Sequence, residues 1–137
     1  MISYFSEINF DLSNQEALSK WIDETIKNEG FETGDINYIF CDDDCLLEKN
    51  IKYLKHNTLT DIISFDYSEK NLIAGDIFIS VDRVKENAAD LGQLFEDELY
   101  RVMIHGVLHY CGYKDKTEKE QDEMTGKEDY YLSLRTF

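Results

Sequence analysis

Two histidines four residues apart, His105 and His109, and a carboxylate six residues further on, Asp115, are the residues of this sequence whose types and spacing describe chemistry most directly. On a helix, positions i and i+4 project from one face about one turn apart, so both imidazoles can approach a single metal ion. Gly112 closes the helical pattern, and the turn after it can fold Asp115 back towards the rings as an oxygen ligand. Two histidines and a carboxylate with a fourth position open form a catalytic zinc set, one Zn²⁺ per chain. Gly106 stands where a His-Glu-x-x-His protease helix carries its glutamate, which excludes a peptidase mechanism built on that residue.

Two other readings of these residues stay open. A His-x3-His pair is also an ordinary surface pattern, and Cys41-x3-Cys45 joined to His105 and His109 has the ligand types of a structural zinc site, though the separation of the pairs far exceeds a finger's. Glu98 and Arg101 precede His105 by two turns and one turn. Glu98 can accept a hydrogen bond from a ligand imidazole or, as the spacing favours, pair with Arg101 on a solvated face.

The elements that must position this set follow from periodicity. Leu94 to Cys111 is the longest helical pattern, with Phe95, Leu99, Val102, Met103 and Val107 on its core side. Thr117 to Glu120 is a capping box opening a last helix in which Met124, Tyr131 and Leu134 can face inward. Residues 2–10 and 35–40 read as strands, each followed by a helix. The first helix starts from a capping box at Ser13 to Glu16 and runs to Gly30; the second follows Asp42 to Asp44 and places Leu46, Leu47, Ile51 and Leu54 on its apolar side. Residues 60–65 and 76–81 form a hairpin of strands. The fold class is α+β: one domain over residues 1–137, a small mixed four-stranded sheet packed with about five helices, the metal-binding helix near the C-terminus.

Composition narrows the partners. The chain has 137 residues, 42 % hydrophobic, enough for one core, and no long apolar run or basic leader, so neither a membrane span nor export is expected and the location is the cytoplasm. Three cysteines, an odd number at irregular spacing, are expected as thiols. A net charge of −15 excludes a protein that grips phosphate backbones over its whole surface. The acidic excess lies in residues 1–48 and 90–137; between them, Lys49, Lys52, Lys55 and His56 form a local basic stripe, a candidate RNA contact or a plain solvated face.

The segment His105-Gly106-Val107-Leu108-His109-Tyr110-Cys111-Gly112-Tyr113-Lys114-Asp115 resembles the signature of the YbeY family, His-Gly-x-Leu-His-x-x-Gly-Tyr-Asp-His. The likeness extends to Thr60-Asp61-Ile62-Ile63-Ser64-Phe65 and Gly75-Asp76-Ile77, to Asn50 and Tyr53, and to Met124 and Glu128, spaced blocks in the same order. The resemblance implies a metal-dependent endoribonuclease needed for ribosomal RNA maturation, with ribosomal RNA and a ribosomal particle or assembly protein as partners and no DNA. Asp115 stands where that pattern has its third histidine, Lys114 where it has aspartate, and Leu54 where it has arginine. An anionic third ligand lowers the charge of a zinc site from +2 to +1, which weakens its pull on a water proton. Two further classes are compatible with the residues: a noncatalytic ribosome-assembly module with a structural metal, and a metal hydrolase for a small or peptide substrate.

Overall fold

The computed structural model describes residues 1–55 and 59–137. Its elements in chain order are β1 (Ile2–Ser6), α1 (Gln15–Asn28), β2 (Glu32–Cys41), α2 (Asp43–Leu54), β3 (Ile62–Asp66), β4 (Leu72–Ser80), α3 (Val81–Leu91), α4 (Phe95–Tyr110) and α5 (Glu118–Ser133). The expected α+β architecture with a four-stranded mixed sheet is the one observed. Strand order is β1-β2-β4-β3; β1, β2 and β4 run parallel, and β3 pairs antiparallel with β4 as the hairpin pattern predicts. No helix among the described residues is long and apolar enough to cross a membrane.

Side chains alternate across the sheet, and each face has its own cover. Ile36, Tyr38 and Phe40 of β2 with Ile73, Ile77 and Ile79 of β4 are buried on the face that packs α1 and α4. On the other face, Ile63, Phe65 and Phe78 meet Cys41, Cys45 and Leu46 under α2. The helix α4 is buried almost all round: Leu99, Tyr100, Val102, Met103, Ile104, Val107, Leu108 and Tyr110 are interior, leaving one polar strip. Gly106 lets this helix lie close on the sheet, since a Cβ there would stand 3.1 Å from both Ile62 Cδ1 and Ile77 Cδ1. Buried polar bonds tie the layers: Tyr38 Oη donates to the Met103 carbonyl at 2.9 Å, and Trp21 Nε1 to that of Tyr131 at 2.8 Å.

Several local expectations are corrected. The capping box at Ser13 does not form: Asn14 takes the N-cap position in a left-handed conformation with no side-chain cap bond. Strand β1 stops at Ser6, short of Phe10. Ile51 and Leu54 of α2 are exposed while Asn50 is buried, and Leu134 lies past the end of α5, exposed. The helix α3 has no counterpart in the periodicity reading, because its pattern rests only on Val81, Val84 and Ala88 and it begins directly where β4 ends, Ser80 capping it by accepting from Arg83 N. The capping box at Thr117 is present in full.

Candidate metal centre

The C-terminal end of α4 carries both histidines, and its cap determines where the following chain goes. Gly112 has φ +104°, a conformation that disfavours side chains, and closes the helix in a Schellman arrangement: Tyr113 N donates to the Leu108 carbonyl at 3.1 Å and Gly112 N to that of His109 at 3.0 Å. This turn aims the Tyr113 carbonyl back at the helix, where it accepts from His109 Nδ1 at 2.9 Å. The Tyr113 side chain is fastened elsewhere: its hydroxyl donates to Glu29 Oε1 at 2.7 Å, and Tyr131 donates to the same carboxylate, with Lys127 Nζ at 3.6 Å. The turn thus held delivers Asp115 to the rings.

Three donor atoms converge there. His105 Nε2 and His109 Nε2 are 2.9 Å apart, and Asp115 Oδ2 is 3.3 Å from the first and 3.2 Å from the second. A tetrahedral cation bound at about 2.0–2.1 Å spaces its ligands about 3.3 Å apart, so these separations fit one. The tautomers agree. A carbonyl only accepts, so His109 must carry its proton on Nδ1, facing Tyr113. His105 Nδ1 lies 2.6 Å from Oε2 of Glu128, a carboxylate only 6 % exposed, and donates to it. Both Nε2 lone pairs then point at each other and at Asp115, an arrangement that repels unless a cation or a proton sits among them. Burial pushes the His105 imidazolium down, yet the hydrogen bond and charge of Glu128, with the charges of Asp115 and Asp61, outweigh it and hold its pKa above the ordinary value.

A cavity of about 290 Å³ opens beside His105 and Asp115, walled by Asp61, Ile62, Glu98 and Val102. Burial raises the Asp61 carboxyl, and burial followed by the charge of Asp61 raises that of Glu98, with Arg101 opposing.

Sequence reasoning brought His105, His109 and Asp115 together, and they meet as a cluster able to hold a metal. The Glu98–Arg101 surface pair is overturned. Arg101 gives Nη1 to Glu128 Oε1 at 2.8 Å and Nη2 to Asp129 at 2.5 Å, while Glu98 is buried. The acceptor behind His105 is Glu128, noticed in the sequence only as a matching position; no local spacing could link it to a histidine on another helix. The four-ligand cysteine site is overturned as well, because Cys41 and Cys45 pack under α2 on the opposite face of the sheet from α4, with Cys45 Sγ 3.0 Å from Glu7 Oε2. All three cysteines are free thiols. The basic stripe sits apart from the histidines: Lys49 lies over the Phe78 ring at 4.7 Å on the α2 face, Lys52 over Tyr53, and Lys55 caps α2 with φ +58°. His56 lies outside the described residues.

Comparison with known proteins agrees with this geometry. Over 134 residues the chain is 54 % identical to a Flavobacterium psychrophilum protein and 51 % identical to one from Flavobacterium johnsoniae, both named Endoribonuclease YbeY, with 98 % of this chain and 96 % of each relative covered. The solution structure of a Thermotoga maritima protein matches with a TM-score of 0.69 at 28 % identity, over 97 % of this chain and 87 % of that one. The family described as Endoribonuclease YbeY matches residues 4–135, almost the whole length. With the family's description matching almost the whole length and relatives about half identical over nearly all of it, the chain belongs to the YbeY family.

Proposed function

We propose that residues 1–137 act as one domain, a zinc-dependent endoribonuclease that hydrolyses phosphodiester bonds of ribosomal RNA during ribosome maturation in the cytoplasm, with His105, His109 and Asp115 as zinc ligands and catalytic set. The observation that carries this reading is the convergence of two imidazole lone pairs and one carboxylate oxygen within 2.9–3.3 Å. Membership in a family whose relatives are named endoribonucleases supports the substrate class.

When bound, zinc supplies a Lewis acid that lowers the pKa of water towards about 7 and polarises a phosphodiester oxygen. The chain's own residues prepare for it. Glu128 and the Tyr113 carbonyl hold the protons of His105 and His109 on Nδ1, so both Nε2 atoms stay free to ligate. Asp115 contributes one negative charge and leaves the site at +1. Ile62 and Val102 give the adjoining cavity of about 290 Å³ an apolar side. Asp61, Glu98, Glu128 and Asp115 make the surroundings acidic, so affinity for naked RNA is low and a ribosomal particle or assembly protein supplies much of the grip. Lys49, Lys52 and Lys55 meet phosphates that run beyond the cavity.

Elemental analysis and RNA cleavage test the reading together. One zinc per chain in wild type, less in His105→Ala and His109→Ala, and cleavage abolished by chelator and by Asp115→Ala at unchanged melting temperature are expected. A metal-free wild type grown with zinc, or cleavage that survives chelator and Asp115→Ala, overturns it.

A further inference from the structure

The sheet face under α2 holds an aromatic pocket that the metal centre does not use. Tyr53 and Tyr67 are 55 % and 60 % exposed, and with Lys49, Phe65, Asp76 and Phe78 they line a cavity of about 400 Å³, a volume in the range of small-ligand sites. A lone exposed ring is ordinary, but several converging on one cavity mark a binding surface. The rings meet edge to face, Tyr53 with Phe65 at 5.6 Å and 82° and Phe65 with Phe78 at 5.9 Å and 88°, so no two of these three are stacked in parallel. The floor is fixed: Phe65 and Asp76 pair across β3 and β4, and Tyr110, on the helix that carries both histidines, donates its hydroxyl to the Phe65 carbonyl at 2.9 Å. Pocket and metal centre are also linked along the outer strand of the sheet. Asp61, just before β3, walls the metal cavity, and Phe65, four residues on or about 13 Å of extended chain, walls the pocket.

We propose that this pocket seats an unpaired base of the RNA strand that is cut at His105, His109 and Asp115, stacked on Tyr53 and Tyr67 a few nucleotides from the cleaved bond. The assignment rests on the endoribonuclease reading and adds to it the place where the strand is held. Charge favours this occupant. The pocket lies in the one stretch of the chain without an acidic excess, and Lys49 Nζ stands 4.7 Å from the Phe78 ring and Lys52 Nζ 5.2 Å from the Tyr53 ring. Inside, Lys49 is offset by Asp76, whose Oδ1 accepts from Asn37 Nδ2 at 3.0 Å, so an uncharged flat ring is favoured over a phosphate. The phosphates that flank the ring fall at the rim, to the lysines of α2. Aromatic faces beside cationic side chains are the composition of a stacking platform for single-stranded nucleic acid. A protein segment burying apolar side chains here would gain nothing from that rim of lysines, whereas every nucleotide brings a ring with a phosphate on each side.

The test uses a short single-stranded RNA and the same strand with one abasic nucleotide at each position in turn. Binding to metal-free protein and cleavage by zinc-loaded protein are both measured, for wild type, Tyr53→Ala, Tyr67→Ala and Tyr67→Phe. Each alanine variant is expected to weaken RNA binding about five- to a hundredfold, the effect of one stacked base, and Tyr67→Phe to keep wild-type affinity. In wild type one abasic position, at a constant distance from the cleaved bond, carries a penalty of the same size, and that penalty disappears in Tyr67→Ala because the base and the ring act as a pair. An abasic scan of wild type with no sensitive position, or an abasic penalty undiminished in Tyr67→Ala, overturns the base pocket. Unchanged RNA affinity in both alanine variants overturns it too and gives the patch to a protein segment. Binding with its abasic penalty but without zinc-dependent cleavage keeps the pocket and refutes the hydrolytic reading, and wild type that neither binds nor cleaves RNA refutes both.

Discussion

Glu128→Gln is the substitution that most directly probes how the metal centre is held. The Glu128 side chain, 8 % exposed, accepts from His105 Nδ1 at 2.6 Å through one oxygen and from Arg101 Nη1 at 2.8 Å through the other. Glutamine has the same shape, but one end becomes a donor. Turned with its oxygen towards His105, it presents an amide N–H₂ to the Arg101 guanidinium; turned the other way, it presents that group to His105 Nδ1–H. One of two charge-assisted bonds is lost in either orientation, and the other becomes neutral. Losing a charged hydrogen bond costs about 1.5–3 kcal/mol of stability. At the metal, a less basic and less firmly oriented imidazole weakens binding about 10–100-fold, or about 1.4–2.8 kcal/mol. Chelator competition for zinc near neutral pH measures the second figure, and thermal melting of the metal-free protein the first. Asp129→Asn is the control, since Asp129 reaches Arg101 alone and its side chain is 60 % exposed. A zinc Kd for Glu128→Gln within twofold of wild type refutes the claim that this carboxylate orients His105 as a ligand.

The Glu29 cluster, the β3–β4 pair and the thiols under α2 each carry an expected outcome. Burial raises the Glu29 carboxyl, but the hydroxyls of Tyr113 and Tyr131 and the Lys127 charge outweigh it and hold its pKa below the ordinary value. Its contribution is therefore present above the unfolded pKa and lost as pH falls through the folded one; Glu29→Gln should cost about 1.5–3 kcal/mol near neutral pH, with the gap to wild type closing in acid, as denaturant titrations across pH would record. Gly75→Ala puts a Cβ 2.4 Å from the Phe65 carbonyl oxygen and 2.5 Å from Tyr110 Oη, atoms of a paired strand and a buried hydroxyl that cannot yield. A loss of about 3 kcal/mol is expected from overpacking, and a variant as stable as wild type would show that β3 is free to move. The double substitution Cys41→Ser, Cys45→Ser should leave bound zinc unchanged by elemental analysis, since those thiols lie across the sheet from His105 and His109.

Much of the scaffold was legible because local rules and tertiary packing agree. Leu99, Val102, Met103 and Val107 recur at helical spacing and are buried in α4; Ile36, Tyr38 and Phe40 alternate and are buried in β2; Thr117 and Glu120 form their capping box. Where a segment is short or its apolar set sparse, the pattern fails, as with α3 and its three buried positions, or with Ile51 and Leu54, apolar residues that no neighbouring element covers. Glu98 was misjudged for a related reason: a carboxylate three residues from an arginine has the spacing of a surface pair, but competing acceptors on α5 took the arginine.

The amino-acid sequence by itself determined the parts of the centre that are close along the chain: two imidazoles one turn apart on a helix, a glycine to end it, and Asp115 within reach of both, because helix geometry and cap chemistry act over a few residues. Only the tertiary structure decided which groups orient those rings and which remain unpaired. Glu128 reaches His105 across the contact between α4 and α5, Glu29 secures Tyr113 from the end of α1, and Glu98 is buried with one oxygen left without a hydrogen-bond partner. Those relations depend on how separate elements pack, and hydrogen bonds between residues 23 or 84 positions apart leave no periodic trace in the chain that makes them.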